Sequence, residues 1–136
     1  MADQTPSPTA AEDAALQEAL AAAHTAVWGY GVVGAATPAD GRAPVIDAEE
    51  AHRDLRDTVA ALLTSRRVEP VPAEAGYALP APVRTATDAA GLAVTLEDGT
   101  SKAWTWVLDQ ACDVPSSRVT ARPAASAAVR TGAGSA

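Results

Sequence analysis

Phenylalanine is absent from this chain of 136 residues, and cysteine occurs only once, at Cys112. A single cysteine excludes an intrachain disulfide framework and a cysteine-based zinc site. Without phenylalanine, the core must be built from Leu, Val and Ala, with three Trp as bulky exceptions. Alanine loses no side-chain entropy in a helix, and Ile is scarce as well as Phe. The composition therefore favours helices over an extensive sheet.

Basic residues are also few. The chain has 10 Lys and Arg against 17 Asp and Glu, which gives a formal net charge of −7. The arginines are scattered, and the pairs Arg53/Arg56 and Arg66/Arg67 lie near acidic residues, as is typical of solvated helix faces. A nucleic-acid backbone requires concentrated positive charge, so we predict that the chain does not bind nucleic acid.

The N-terminal stretch "MADQTPSPTAAEDA" lacks the basic and apolar regions of a signal peptide. No uninterrupted apolar run approaches the roughly 18 residues of a membrane span, so we predict a cytoplasmic protein without membrane association. A chain of this length holds one domain with one core. We place that domain at residues 10–131, between tails at residues 1–9 and 132–136.

Two amphipathic helices are predicted in the first half of the chain. The first covers residues 10–35, where apolar residues recur at intervals of three and four, and "TPADGRAP", residues 37–44, ends it. The second covers residues 45–68, with Asp47 as its N-cap. The charged residues of its first and last turns suit the helix dipole: Glu49, Glu50, Arg66 and Arg67.

The second half of the chain is less regular. Residues 69–83 are rich in proline and predict a long extended connection anchored by Tyr77 and Leu79. Residues 84–112 have two interpretations, a helix or a β-hairpin that turns at Asp98–Gly99, and the local pattern leaves both open. Residues 116–130 predict a short fourth helix, which Pro123 weakens.

The two histidines, His24 and His52, lie on the two predicted helices. If these helices pair antiparallel about residue 38, the histidines are level with each other. Both lie on apolar stripes, so we expect them to approach across the helix interface. As packing residues they would be buried or half-buried and hydrogen-bonded to each other, to Glu49 or to a backbone carbonyl.

A metal site is the alternative interpretation of the histidines. Glu49 precedes His52 by three residues, a Glu-x-x-His spacing that di-iron helical bundles use. The candidate ligands of iron or another divalent metal are His24, Glu49, His52 and Glu97. No histidine follows residue 52, so one chain cannot supply a complete di-metal set, but a symmetric dimer could duplicate the partial set.

Nothing in the pattern indicates catalysis, because no nucleophile or phosphate-binding loop accompanies the histidines. We therefore predict no catalytic residues and no cofactor. The large aromatic side chains are predicted to be core or interface anchors rather than a ligand cage. They are Trp28, Tyr30, Trp104 and Trp106.

Three stretches resemble the signature segments of the actinobacterial ferritin-like domain family of unknown function. They are "ALAAAHTAVWGYGVVGA" at residues 19–35, "AHRDLRD" at residues 51–57 and "YALPAPV" at residues 77–83. The resemblance covers about residues 12–112. It implies an all-α, ferritin-like antiparallel helical bundle with three clear helices, a weak fourth helix and a long proline-rich connection between the second and third. It also implies a helix over residues 86–111.

One departure from the family affects the predicted function. Members of that family commonly carry a Glu-His pair on the first helix, whereas Ala23 precedes His24 in this chain. The acidic residue expected on the third helix is kept, as Glu97. We therefore predict a non-enzymatic structural or protein-interaction module that forms a homodimer. The alternative is a di-iron-like, metal-binding protein whose site is completed across the dimer.

Overall fold

The computed structural model describes residues 8–112, which form three α-helices. Helix α1 is Pro8–Ala36, α2 is Arg42–Ser65 and α3 is Ala86–Cys112, with a 3₁₀ turn at Ala39–Gly41. These residues contain no strand. The all-helical prediction is confirmed, and the hairpin at Asp98–Gly99 is wrong. The predicted fourth helix at residues 116–130 and the C-terminal tail lie outside the described residues.

Helix α3 passes through Gly99 without a break because burial against α1 outweighs the local turn signal. A glycine inside a helix costs about 1 kcal/mol relative to alanine. In exchange, the apolar residues Leu92, Leu96 and Val107 are all buried. The helix also starts well, since Thr85 and Asp88 each accept a hydrogen bond from the other's backbone N–H, as in a capping box.

Helix α2 begins at Arg42, three residues before its predicted start. Asp47, the predicted N-cap, lies inside the helix, and Gly41 occupies the N-cap position without a side-chain hydrogen bond. Pro44 is tolerated because the first turn of a helix leaves its N–H groups without helical acceptors. Helix α1 also begins earlier than predicted, because it includes Pro8 and Thr9, which were predicted to lie in the N-terminal tail.

Helix α1 packs against both other helices, which run parallel to each other. The end of α2 meets the start of α1, where Arg66 binds Asp13. Helix α3 is antiparallel to α1, because Ala89 clusters with Val33 and Val107 clusters with Leu16. Residues 66–85 join α2 to α3 without helix or strand and therefore travel the length of α1. We call this segment the crossover.

The core consists of two clusters along α1. One lies near the N-terminal half of α1, and the other lies near its C-terminal half. The first contains Ala15, Leu16, Ala19, Leu20, Val59, Leu63 and Val107. The second contains Ala26, Tyr30, Val33, Ala89, Leu92 and Leu96.

The central place of α1 explains its apolar sequence. Within it, Thr9–Ala36 is long and apolar enough to cross a membrane by length and composition alone. A buried core helix meets the same criterion, so this is weak support for a membrane span. Because α1 contacts α2 on one side and α3 on another, it needs apolar residues on more than the single stripe predicted from its spacing.

Helix α2 ends in a Schellman motif. The N–H of Val68 donates to the carbonyl of Leu63 at 2.9 Å, and the N–H of Arg67 donates to the carbonyl of Thr64 at 3.0 Å. Arg67 adopts a φ of 60°, the left-handed conformation that glycine usually supplies at this position.

We expect Arg67→Gly to raise the free energy of unfolding by about 0.5 kcal/mol. Relief of the left-handed strain, about 1–2 kcal/mol for a residue with a Cβ, exceeds the extra chain entropy that glycine loses on folding. Urea denaturation measures the difference. Arg67→Ala is the control, because it removes the exposed side chain but keeps the Cβ. A glycine variant no more stable than the alanine variant would contradict the expectation.

Candidate functional site

Three side chains, one from each helix, meet at a single carboxylate oxygen. Tyr30 of α1 donates its hydroxyl to Oε1 of Glu97 on α3, and Nε2 of His52 on α2 lies 2.9 Å from the same oxygen. The rings of Tyr30 and His52 stack with centroids 5.4 Å apart and an interplanar angle of 24°. We call these residues the Tyr–His–Glu cluster. The cluster links all three helices through polar contacts.

The cluster lies at the boundary between core and solvent. Tyr30 and His52 are buried, whereas the Glu97 side chain is 52% exposed. An ionised carboxylate only accepts hydrogen bonds, so Nε2 of His52 is the donating nitrogen. Within residues 8–112, the buried Nδ1 of His52 has no hydrogen-bond partner. Glu97 therefore accepts hydrogen bonds from the Tyr30 hydroxyl and from Nε2 of His52, whereas Nδ1 of His52 makes none within the described residues.

The hydrogen bonds hold Glu97 in its ionised form. Partial burial raises the pKa of this carboxyl, but the hydrogen bonds from His52 and Tyr30 and the charge of His52 together lower it below its ordinary value. Burial and the adjacent carboxylate raise the pKa of Tyr30. The phenol thus stays protonated and the carboxylate stays charged, which is the combination that keeps their hydrogen bond charge-assisted.

The structure brings together two of the four predicted metal ligands, His52 and Glu97. His24 instead places Nε2 3.0 Å from the carbonyl oxygen of Val71 in the crossover. Glu49 accepts a hydrogen bond from Arg53 at 2.5 Å, one turn further along α2. In the part of the chain that the structure describes, no three His, Cys, Asp or Glu side chains form a group that could hold a metal ion.

Tyr30 is a member of the cluster that the sequence interpretation treated only as a core or interface anchor. The spacing of the sequence already indicates this role, because Tyr30 lies between Ala26 and Val33 on the buried face of α1 and its hydroxyl is therefore removed from water. A buried tyrosine hydroxyl requires a hydrogen-bond partner. Its identity depends on the rotation and height of α3, which the local sequence does not specify.

The crossover is fastened to α1 along its length. Gln17 donates to the carbonyl of Glu69 at 2.6 Å and accepts from the N–H of Val71 at 2.8 Å. Further along, Tyr77 meets the ring of Trp28 edge to face, with centroids 5.8 Å apart. His24 adds its bond to Val71 between these points, so its environment agrees with the packing hypothesis, in which a backbone carbonyl is a partner.

Residues 15–134 match the family described as Domain of unknown function (DUF4439). The chain belongs to the DUF4439 family. Its structure is similar to the crystal structure of a conserved hypothetical protein, rv2844, from Mycobacterium tuberculosis. That similarity has a TM-score of 0.76 and 42% sequence identity, and it covers 83% of this chain and 79% of the other. No curated protein matches the chain.

For this DUF4439 protein, we expect Glu97→Gln to lower the free energy of unfolding by about 1 kcal/mol at pH 7, because a charge-assisted acceptor becomes a neutral one. The pKa of Glu97 is lower in the folded protein than in the unfolded chain. Its stabilisation is therefore complete above the unfolded pKa, about 4.3, and is lost as the pH falls through the folded pKa. The stabilities of wild type and variant should therefore converge progressively as the pH falls below about 4.3.

Urea denaturation across pH 3–7 tests this expectation. Glu50→Gln is the matched control, since Glu50 is an exposed residue of α2. A difference between wild type and Glu97→Gln that stays constant down to pH 3 would contradict the role of the charged carboxylate.

Proposed function

We propose that this DUF4439 protein is a ferritin-like helical bundle that acts as a non-enzymatic protein-interaction module and pairs with a second copy of itself. The observation that carries the proposal is a pair of exposed apolar side chains on the same side of α3 as Glu97 of the Tyr–His–Glu cluster. Val94 is 61% exposed and Leu108 is 62% exposed. At about 100° per residue, both lie within about 60° of Glu97 around the helix.

Helix α2 contributes to the same surface. Leu55 and Leu62 lie next to the stripe by which α2 packs on α1, on the side that faces α3 by helical geometry. Leu62 is exposed, and Leu55 is half-buried. We define the α2–α3 face as Leu55, Leu62, Val94, Glu97 and Leu108. Exposed apolar residues grouped on one face of a protein are typical of a protein contact.

The connectivity supports the ferritin-like part of the proposal. Ferritin-like four-helix bundles have one long crossover connection, whereas simple up-and-down bundles have only short loops. Here α2 and α3 run parallel, and the crossover between them extends along α1. In such a bundle, a fourth helix covers the face that α2 and α3 present away from α1. In this protein that face is the α2–α3 face.

A second copy of the chain is the proposed cover of this face. Val94 and Leu108 of α3 and Leu62 of α2 are all exposed in the single chain. A copy that docks around Val94 would bury these side chains and enclose Glu97.

Sedimentation equilibrium of the full chain at micromolar concentration tests the dimer. We expect a dimer for wild type and a monomer for Val94→Glu, which introduces a charge at the centre of the contact. Ile46→Glu is the matched control, because Ile46 is 54% exposed but lies about 160° around α2 from Leu62. A wild-type monomer would contradict the proposal.

The half-exposed carboxylate on this face favours a second hypothesis, in which the dimer binds a metal. A contact through the α2–α3 face would bring the His52–Glu97 pairs of two copies towards each other. The described residues of one chain do not assemble such a site. Elemental analysis decides the question: less than about 0.1 metal per chain, unchanged in His52→Gln, would end this hypothesis. Bound metal that is lost in His52→Gln and kept in His24→Gln would support it.

A further inference from the structure

A cleft of about 450 Å³ lies on the side of the molecule formed by α1, α3 and the crossover. Trp28 of α1 and Tyr77 and Leu79 of the crossover form one wall, and Leu92 and Leu96 of α3 form the other. Small-molecule sites usually have volumes of about 300–1,000 Å³ and mainly apolar linings. This cleft meets both conditions, and the Tyr–His–Glu cluster is not part of its lining.

The lining excludes charged ligands. No Asp, Glu, Lys, Arg or His side chain is among the described residues that line the cleft. A carboxylate, phosphate or ammonium group placed there would lose its hydration without gaining an ionic partner. The occupant must therefore be neutral. The aromatic rings of Trp28 and Tyr77, already edge to face, offer an apolar surface on which a flat ring system can pack.

The threonines of the cleft have a defined hydrogen-bonding direction. Its three threonines each donate the hydroxyl hydrogen to the carbonyl four residues earlier in the same helix, at 3.0–3.2 Å. Their oxygens can then only accept a hydrogen bond from a ligand. The complementary ligand carries an N–H or O–H donor. These threonines are Thr25, Thr95 and Thr100.

Gly99 keeps the α3 side of the cleft open. A Cβ at this position would have no atom within 4 Å, so the space beside the helix is empty there. Gly99 is also a poor residue for a helix interior, at a cost of about 1 kcal/mol relative to alanine. The residue with this unfavourable helix propensity is therefore the same residue that leaves space for a ligand in the cleft.

We propose that this cleft is a binding site for a neutral, planar aromatic molecule with one N–H or O–H donor. The rings lie between the Trp28–Tyr77 wall and the Leu92–Leu96 wall, and the donor bonds a threonine oxygen. The site is independent of the dimer contact, because the α2–α3 face is formed by different residues of α3. Binding would also hold the crossover against α3, since Tyr77 and Leu79 belong to the crossover.

Two fluorescent probes with the same ring skeleton test the chemistry of the site. N-phenyl-1-naphthylamine is neutral, aromatic and has one N–H donor, and 8-anilinonaphthalene-1-sulfonate adds a sulfonate to it. The full-length protein is titrated in 0.5 M NaCl, so that the net charge of −7 is screened. We expect saturable binding of the neutral probe at one site per chain, with a Kd at least about tenfold below that of the sulfonate.

Two glycine variants locate the site. Gly99→Leu places a side chain in the cleft and should weaken binding of the neutral probe about tenfold or more. Gly31→Leu is the matched control, because Gly31 is also a helical glycine with no atom within 4 Å of a Cβ, and it lies outside the cleft. Both changes favour a helix, so both variants should fold, and circular dichroism verifies this.

Four results would overturn the proposal. The first is no saturable binding of N-phenyl-1-naphthylamine, and the second is equal binding of the two probes. The third is binding that Gly99→Leu leaves intact. The fourth is binding that Val94→Glu abolishes, because the probe would then occupy the α2–α3 face. Since Val94→Glu is also the dimer variant, a monomer that still binds the probe separates this site from the proposed function.

Discussion

Replacing Leu63 with alanine should lower the free energy of unfolding by about 3 kcal/mol, whereas the same change at the adjacent Leu62 should cost about 0.5 kcal/mol. The two residues are neighbours in α2 and have the same helix propensity. Leu63 is fully buried at 0% exposure, and Leu62 is 43% exposed. The large effect at Leu63 arises because its cluster joins α2 to Leu20 of α1 and Val107 of α3.

Urea denaturation measures both variants. The midpoint should fall strongly for Leu63→Ala and little for Leu62→Ala, with the same dependence on urea concentration in both, since the native fold persists. Equal losses at the two positions would show that Leu62 is covered in solution. If the protein also forms a dimer whose population depends on protein concentration, equal losses would place Leu62 in the contact between the two copies.

Replacing Gly29 with valine should destabilise the protein by about 2–3 kcal/mol, because α1 and α3 approach closely at this point. A Cβ at Gly29 would lie 2.6 and 2.8 Å from the two Cδ atoms of Leu96. Leu96 is buried, so it can move aside only into the cleft that it lines. The substitution should therefore also weaken binding of N-phenyl-1-naphthylamine.

Gly31→Val separates the steric effect from helix propensity. A Cβ at Gly31 has no atom within 4 Å, so this variant should be as stable as wild type or slightly more stable. Thermal denaturation of the two valine variants gives the comparison. A Gly29→Val protein that melts with wild type would mean that the two helices lie further apart in solution than in this structure.

The sequence predicts the helices well because burial recurs with the period of a helix. In α2, the fully or nearly buried residues His52, Val59 and Leu63 lie on one stripe that the spacing identifies. The start of α2 was predicted three residues too late, because Asp47 is a favourable N-cap residue and Pro44 resembles a helix breaker. A tight 3₁₀ turn at Ala39–Gly41 makes the earlier start possible, and turn geometry of this kind is not encoded in apolar periodicity.

The segment around Gly99 shows where local pattern fails. Asp98–Gly99 is a strong hairpin signal, and the alternative was decided by contacts with α1, far away in sequence. The buried positions Leu92, Leu96 and Val107 suit a helix on α1. The resemblance to a helical family gave the correct answer because it contains information about those distant contacts.

The candidate site was predicted only in part for the same reason. His52 and Glu97 were both predicted as candidate metal ligands, and their side chains do meet, although through a hydrogen bond. The partner of His24 is a backbone carbonyl of the crossover, at Val71, and no side-chain pattern marks such an acceptor. The role of Tyr30 depends on the height of α3 relative to α1, which only tertiary packing determines.

The path of the crossover has a consequence for the order of folding. Helices α1 and α2 are joined by a short turn, so their contacts start next to this turn and are closer in sequence than those between α1 and α3. Helix α3 reaches α1 only after the chain closes a loop that includes α2 and the crossover, a slower step. We therefore expect the α1–α2 hairpin to form the folding nucleus and α3 to dock last. In native-state hydrogen exchange, amides of α1 should report global unfolding, while α3 and the crossover open together at lower free energy.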